Sequence, residues 1–369
     1  MNPHTETHSA AATAAPTELV LDVGPVAHGG HCVARHEGRV IFVRHGIPGE
    51  KVRARLTEAG DTAKFWRADV VEVLDASPDR VEHFWRAADS LRAWGHGHPP
   101  VGGAEFGHIA LARQRALKSA VLSEQLHRLA AVERVPGVPD LGNLVEAVDA
   151  SGPDSGQDTD STYDAGTGLG WRTRASFSVT PGGKLGMHAH RSDHIISVRE
   201  MPLASELING LRLWDLDLQG IERVEVAAPS NGSRPLVLLA PAAGTKPKRL
   251  SAIAAQLPDD VSVATFDPLT GEVQQLRGRT WVQESAAGHQ YRVSGAGFWQ
   301  IHRDAPGTLV GAVTDFLQGG GFLAPGSVVA DLYAGAGLFT AVLAEAVGET
   351  GGVLSVEGAT GTSRDARKT

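Results

Sequence analysis

Cysteine is almost absent from this 369-residue chain, with Cys32 the only one. That excludes a disulfide within the chain, and any metal or iron–sulfur site built from cysteines alone. Long apolar runs are missing too. None approaches the roughly 18–20 residues that cross a bilayer, so no membrane partner is expected. The opening stretch "MNPHTETHSAAATAAPTE" has neither a basic start nor an apolar centre, which argues against a secretory signal. It reads as a disordered tail over residues 1–17, and a cytoplasmic location is the default. An excess of positive charge is lacking as well. The net charge is −8 and the pI about 6.0, so no global basic field advertises a nucleic-acid partner.

What is present is ordinary for a globular protein, with 42% hydrophobic and 21% charged residues. The length allows two or three domains. Residues 18–76 carry short β-branched runs broken by Gly-Pro, Gly-Gly, Glu-Gly and Pro-Gly, and "FWRADVVEVLD" closes the set. Four or five short strands in so small a segment suit a barrel of the OB type. Charge is uneven here. Eight basic residues lie between His31 and Arg67 (Arg35, Arg39, Arg44, Lys51, Arg53, Arg55, Lys64, Arg67) against four acidic ones (Glu37, Glu50, Glu58, Asp61), a local excess of +4. Phe42, Phe65 and Trp66 stand among them. Basic residues with interleaved aromatics suit RNA phosphates and stacked bases; a solvated barrel surface over core aromatics accounts for the composition equally well.

Beyond the barrel, residues 108–130 read as an amphipathic helix with Ile109, Leu111, Leu117, Val121, Leu122, Leu126 and Leu129 mostly three or four apart. Residues 147–168 are rich in Asp, Ser and Gly, a flexible acidic insertion. "WRTRASFSVT" and "KLGMHAHRSDHIISV" flank Pro-Gly-Gly as a hairpin. Further strand-like runs follow in "IERVEVAA", "RPLVLLA", "VSVATFD" and "TWVQESAAGHQYRVSG", and "ASELINGLRLWDL" reads as helix. The middle of the chain, 77–296, is thus α+β, without internal repeats. A helix over about 303–318 then leads to the strand "SVVADLY".

That strand ends in the pattern Asp331-x-x-x-Gly335-x-Gly337-x-x-Thr340. Gly335 can take a positive φ and let the backbone approach a ligand. Gly337 opens a helix whose free N–H groups favour a carboxylate or phosphate. A dinucleotide fingerprint wants glycine or alanine where Thr340 stands, which argues against NAD. The next strand, "GGVLSVE", ends in Glu357, placed to accept hydrogen bonds from ribose hydroxyls. The combination points to a nucleoside-type ligand on an α/β unit.

"ADLYAGAGLFT" resembles the S-adenosylmethionine motif of class I methyltransferases, in the form used by the RNA uracil-5-methyltransferases. "GAGFWQIH" resembles that family's Phe-x-Gln signature, with Phe298 and Gln300 at the matching places and His302 where the family often has Asn. "GLGWRTRASFSV" with "GKLGMHAHRSDHIISVREMPL" resembles its central hairpin, and residues 18–76 its N-terminal TRAM barrel. The resemblance runs in order through nearly all of the chain beyond the tail. It implies an OB-like TRAM barrel, a central α+β region and, over 297–369, the start of a Rossmann-like domain. It further implies S-adenosylmethionine as cofactor, held by Gln300, Asp331, Tyr333, Gly335, Gly337 and Glu357. RNA, ribosomal or transfer, would lie against Arg53, Arg55, Arg172, Arg174, Arg191 and Phe298, with the protein a monomer.

Two departures from the family shape the expectation. Where many members carry four cluster-binding cysteines, this chain has Gly95, Val101, Ala104 and Met201, so no iron–sulfur cluster is expected. His96 and His98 lie nearby without further ligands at fixed spacing, and read as surface residues. The family's cysteine nucleophile and its base lie far downstream of the glycine turn, whereas 39 residues run from Asp331 to Thr369. The chain is therefore expected to be a truncated methyltransferase without catalytic residues of its own, with "GATGTSRDARKT" frayed because it offers only Ala359 and Ala366 as apolar contacts. A non-catalytic RNA-binding protein is the alternative, and a nicotinamide-dependent oxidoreductase a weaker one.

Overall fold

The computed structural model describes residues 17–60, 62–134, 141–148 and 166–367. Most of the predicted N-terminal tail and of the acidic insertion lies outside these. The chain forms two compact units, Met1–Val145 and Glu146–Thr369.

In the first unit, five strands, β1 (Glu18–Asp22), β2 (Cys32–His36), β3 (Arg39–Arg44), β4 (Lys51–Glu58) and β5 (Phe65–Asp75), form one sheet in the order β1-β4-β5-β3-β2. β3 and β5 run parallel and the other pairs antiparallel. Beyond β1 the chain turns onto β2: Gly24 N–H donates to Val33 O, and Val33 N–H to Pro25 O. These bonds join the sheet's two ends, as in the five-stranded OB barrel. Gly24 is required there, because a Cβ would stand 2.5 Å from Val33 O. Alternating side chains fill the interior with Leu21, Ile41, Val43, Val52, Ala54, Ala68 and Val70. Two carboxylates are buried as well. Asp69 takes a two-pronged bond from Arg44 (2.8 and 2.7 Å), and Glu50 one from Arg80 (2.6 and 2.7 Å). Glu50 also accepts the N–H groups of Ile47 and Ser77, so the chain after β5 is tied to the barrel. α1 (Ser90–Gly95) and α2 (Leu111–Ala130) complete the unit. Leu117 reaches the core, while Leu122 and Leu129 are exposed, because the predicted apolar positions span more than one face of the helix.

The second unit is built on a seven-stranded sheet: β6 (Arg174–Val179), β7 (Leu185–His188), β8 (Ile195–Ser197), β9 (Ile221–Ala227), β10 (Leu236–Pro241), β11 (Ser262–Phe266) and β12 (Val273–Arg277), in the order β12-β11-β10-β9-β6-β7-β8. Between β8 and β9 lies the short α3 (Glu206–Gly210), where the sequence suggests a longer helix. α4 (Pro247–Ala254) crosses between β10 and β11, the sheet's parallel pair. β13 (Trp281–Ala286) and β14 (His289–Ser294) make a hairpin, and α5 (Ala305–Gly319) follows. The last part is a βαβ unit, β15 (Val328–Leu332), α6 (Leu338–Val347) and β16 (Gly352–Val356), with parallel strands, followed by α7 (Thr360–Ala366). One apolar cluster joins Leu236 and Leu238 of β10, Tyr291 and Val293 of β14, Trp299, Val310 and Leu338.

The predicted fraying of the C-terminal stretch does not occur over the described residues: 360–366 are helical. Apolar area does not hold α7. Its Asp365 is 1% exposed and accepts a bond from Ser294 N–H (2.7 Å) and one from Arg292 Nε (3.3 Å). A charge-assisted pair of bonds to a buried carboxylate does here what an apolar stripe does elsewhere.

Candidate cofactor turn and nucleic-acid surface

The turn between β15 and α6 is fixed at both ends by its own side chains. Asp331, 8% exposed, accepts a bond from Thr340 Oγ1, which also meets Ser355 Oγ at 3.1 Å. Thr340 thus ties the first turn of α6 to β15. At the opposite edge Glu357 accepts Gly335 N–H through Oε2 and Ala359 N–H through Oε1, both at 2.7 Å. These bonds hold its carboxyl below the usual range, the Ala359 N–H being the larger cause, so it stays an anion with spare acceptor capacity. Tyr333, Gly335 and Gly337 all have positive φ (63°, 58° and 88°). Tyr333 is 91% exposed, and a non-glycine residue held in that region stores strain where sites are often found. A Cβ on Gly335 would meet nothing within 4 Å, so open space lies against its backbone; one on Gly337 would stand 3.5 Å from Ala366 of α7. The turn is therefore a preformed concave backbone, open at Gly335 and backed by α7.

The Phe-x-Gln segment lies between β14 and α5. Phe298 is 70% exposed, Trp299 is in the core, and Gln300 is half-buried. Its flanks are pinned to the strand-like stretch before β6. Thr173 N–H donates to Ile301 O (2.8 Å), Arg303 N–H to Trp171 O (3.0 Å), and the Trp171 and His302 rings stack at 5.3 Å. Burial lowers the affinity of His302 for a proton, so the stacked ring is the neutral imidazole at pH 7. Arg172 lies over the Trp171 ring at 5.0 Å. Arg174 is folded inside: its side chain is 13% exposed, and Nη1 donates to Gly297 O at 3.1 Å. Its neighbour Glu284, at 3.9 Å, is nearly inaccessible, and burial pushes that carboxyl up to about 7. Burial works against both charges, but a guanidinium keeps its proton in proteins, so Glu284 is the group that titrates. The sequence singled out neither this role of Arg174 nor Glu284, since both sit at ordinary alternating strand positions. Arg191 is exposed, in the left-handed region (φ 51°) of the β7–β8 turn.

On the barrel, Arg53 pairs with Glu72 and Arg55 with Glu18, both at 2.8 Å, and Arg67 pairs with Glu58. Arg55 also lies over Trp94, and Arg39 over Trp66 at 4.4 Å. The local basic excess is therefore largely matched across strands, and both cation–ring pairs are half-buried. Cys32 is 2% exposed in the barrel core, and burial pushes its thiol up to about 12; a thiol so placed supplies no thiolate nucleophile. Val101, Ala104 and Met201 are buried apolar side chains. His96 and His98 bond to the backbone carbonyls of Arg92 and Pro99, and no cluster of potential metal ligands occurs among the described residues. Nor, among those residues, is any helix long and apolar enough to cross a membrane.

Known proteins resemble this chain over most of its length. A family model described as TRAM domain matches residues 17–71. A protein named as an uncharacterised RNA methyltransferase from Streptomyces avermitilis is 38% identical over 353 residues, covering 95% of this chain and 74% of its own length. Its counterpart from Streptomyces coelicolor is 39% identical over 353 residues, covering 95% and 70%. A 23S rRNA (uracil(1939)-C(5))-methyltransferase from Shewanella denitrificans is 26% identical over 371 residues, covering 92% and 72%. Among solved structures, the Pyrococcus abyssi tRNA (uracil-54, C5)-methyltransferase, in complex with S-adenosyl-L-homocysteine, shares the fold with a TM-score of 0.62. At 16% identity it covers 94% of this chain and 75% of that one.

Proposed function

The chain belongs to the RNA methyltransferase family, and on that premise we propose that it binds S-adenosylmethionine at the turn after β15 and serves methylation of uridine C5 in ribosomal or transfer RNA. The observation that carries this reading is the doubly fixed glycine turn. Asp331 and Thr340 fix one end and Glu357 the other, and the backbone at Gly335 stays open. These residues fit the donor. The open side of Gly335 admits an approaching ligand, Gly337 caps α6 with a positive φ while its own N–H donates to Ala334 O, and Glu357 keeps lone pairs for two ribose hydroxyls. Asp331 acts by holding the turn, Tyr333 offers a ring beside it, and Gln300 borders the target base. When bound, S-adenosylmethionine supplies an electrophilic methyl group.

The chain's own residues bind and orient. Phe298, exposed and next to Gln300, stacks on a base; Arg53, Arg55, Arg172 and Arg191 meet phosphates; Arg174 supports the segment from beneath through Gly297 O. Methylation at C5 also needs a nucleophile for C6 and a base for the C5 proton. Cys32, enclosed in the barrel, is unsuited to the first role, so the 369 residues are expected to bind donor and RNA but transfer no methyl group unaided. The cellular setting proposed is cytoplasmic, with the chain a monomer.

Calorimetry tests the donor site. S-adenosylhomocysteine is expected to bind the wild-type chain, to bind Gly335→Val far more weakly, and to be preferred over NADH. Preference for NADH would replace this reading with an oxidoreductase. Labelled methyl transfer to unmodified RNA by the wild-type chain alone would overturn the assignment of the nucleophile.

A further inference from the structure

The second unit has an open cavity of about 640 Å³, lined by no residue of the glycine turn, between α3, the β9–β10 loop and the loop before β11. That volume is in the range of sites for small molecules and single nucleotides. Leu207, Leu211 and Val261 give it an apolar wall, and Arg234 and Arg303 bring two cations to it. Glu206 and Asp260 stand there as well, so its charge is balanced, which disfavours a polyphosphate. Apolar wall, cations and acceptors match a ligand with a flat apolar ring, N–H donors on its edge and one phosphate. Ser205 adds an independent sign. It is 5% exposed, borders the cavity and directly precedes α3, yet its Oγ has no hydrogen-bond partner in the fold. Buried hydroxyls are seldom left so.

The cavity also adjoins the Phe-x-Gln segment through the backbone. Thr173, on its wall, bonds to Ile301 O, and Arg303 bonds to Trp171 O. Arg303, on the cavity wall, is three residues along the chain from Gln300.

We propose that this cavity takes one unpaired nucleotide of the RNA, with its base against Leu207, Leu211 and Val261 and its phosphate between Arg234 and Arg303. The inference rests on the RNA reading above and adds the subsite that seats a neighbour of the target uridine. Arg234 is exposed, so its replacement leaves the core intact.

The probe is a fluorescein-labelled single-stranded RNA of about 12 nucleotides, followed by anisotropy at several salt concentrations. Arg234→Ala is expected to weaken binding roughly fivefold and to reduce the salt slope by about one. Leu211→Trp, which narrows the cavity with a bulky ring, is expected to weaken it at an unchanged thermal midpoint. A 4-thiouridine form of the same RNA is expected to cross-link to peptides containing 205–211 or 228–235. Wild-type binding that both variants retain in full, with cross-links elsewhere, overturns the subsite and leaves the RNA reading standing. Failure of the wild-type chain to bind the RNA overturns both. Uridine or adenosine monophosphate binding as tightly as the RNA identifies a free-nucleotide site and overturns the proposal.

Discussion

Strands β10 and β15 look alike in sequence, "PLVLLA" against "SVVADL", yet they meet different fates. Every residue from Leu236 to Ala240 is at most 2% exposed, with neighbouring strands on both sides and the Tyr291–Trp299 cluster against Leu236 and Leu238. In the β15–β16 pair, Val329 and Val353 are covered from α6 by Leu343 and Val347, while Val328 is 83%, Leu332 60% and Leu354 61% exposed. A continuous apolar run states that a strand is suited to burial on both faces. It does not state that a second layer is there to bury it.

The sharpest way to break that comparison is truncation of equivalent side chains. Leu236→Ala is expected to cost about 2–5 kcal/mol, and Leu354→Ala less than about 0.5 kcal/mol, both by urea unfolding. Equal losses would mean that the bare face is covered in solution. The next largest effect comes from Glu284, on β13 within the well-covered part. Its folded pKa is raised to about 7 from an ordinary 4.5. The folded state therefore binds this proton more tightly, and the stability it contributes is full below about pH 4.5 and lost as pH rises toward about 7. The loss should approach about 1 kcal/mol per pH unit in that window, and Glu284→Gln should flatten it; an unchanged slope in the variant would assign the titration elsewhere. Asp365→Ala is expected to cost about 1–3 kcal/mol. It should speed hydrogen exchange in α7 while leaving β10 protected, whereas slow exchange in α7 would show that contacts other than the carboxylate hold it. A smaller effect, confined to the glycine turn, is expected for Thr340→Val. Loss of the hydroxyl that bonds Asp331 and Ser355, about 0.5–1.5 kcal/mol per bond, should weaken S-adenosylhomocysteine binding a few-fold by calorimetry, with no change in the unfolding midpoint of the β10 core.

Local patterns were legible in advance. The barrel's strands and the glycine turn depend on alternation and on backbone-permissive residues a few positions apart, and both stand where the pattern puts them. Charge was less legible. Counting between His31 and Arg67 leaves four positive charges over, but the acids facing Arg53, Arg55 and Arg44 are Glu72, Glu18 and Asp69, all outside that window. Strand register brings them opposite: Arg53 pairs with Glu72 in β5 and Arg55 with Glu18 in β1. A one-dimensional count cannot see register. The C-terminal helix escaped for a related reason. Its stability comes from Asp365 reaching β14, some 70 residues earlier in sequence, and no helical periodicity reports such a contact.

By itself, then, the sequence determined a barrel of short strands, a glycine turn with an acid after the next strand, and a lone cysteine ill matched to catalysis. Each follows from the conformational freedom or chemistry of residues close together in the chain. Only the tertiary structure decided which arginines are matched, that Arg174 is enclosed beside Glu284, that Asp365 anchors the last helix, and that a cavity opens beside Ser205. Those outcomes depend on burial and on pairing across strands, where desolvation and distance set the energy of a charge and sequence spacing does not.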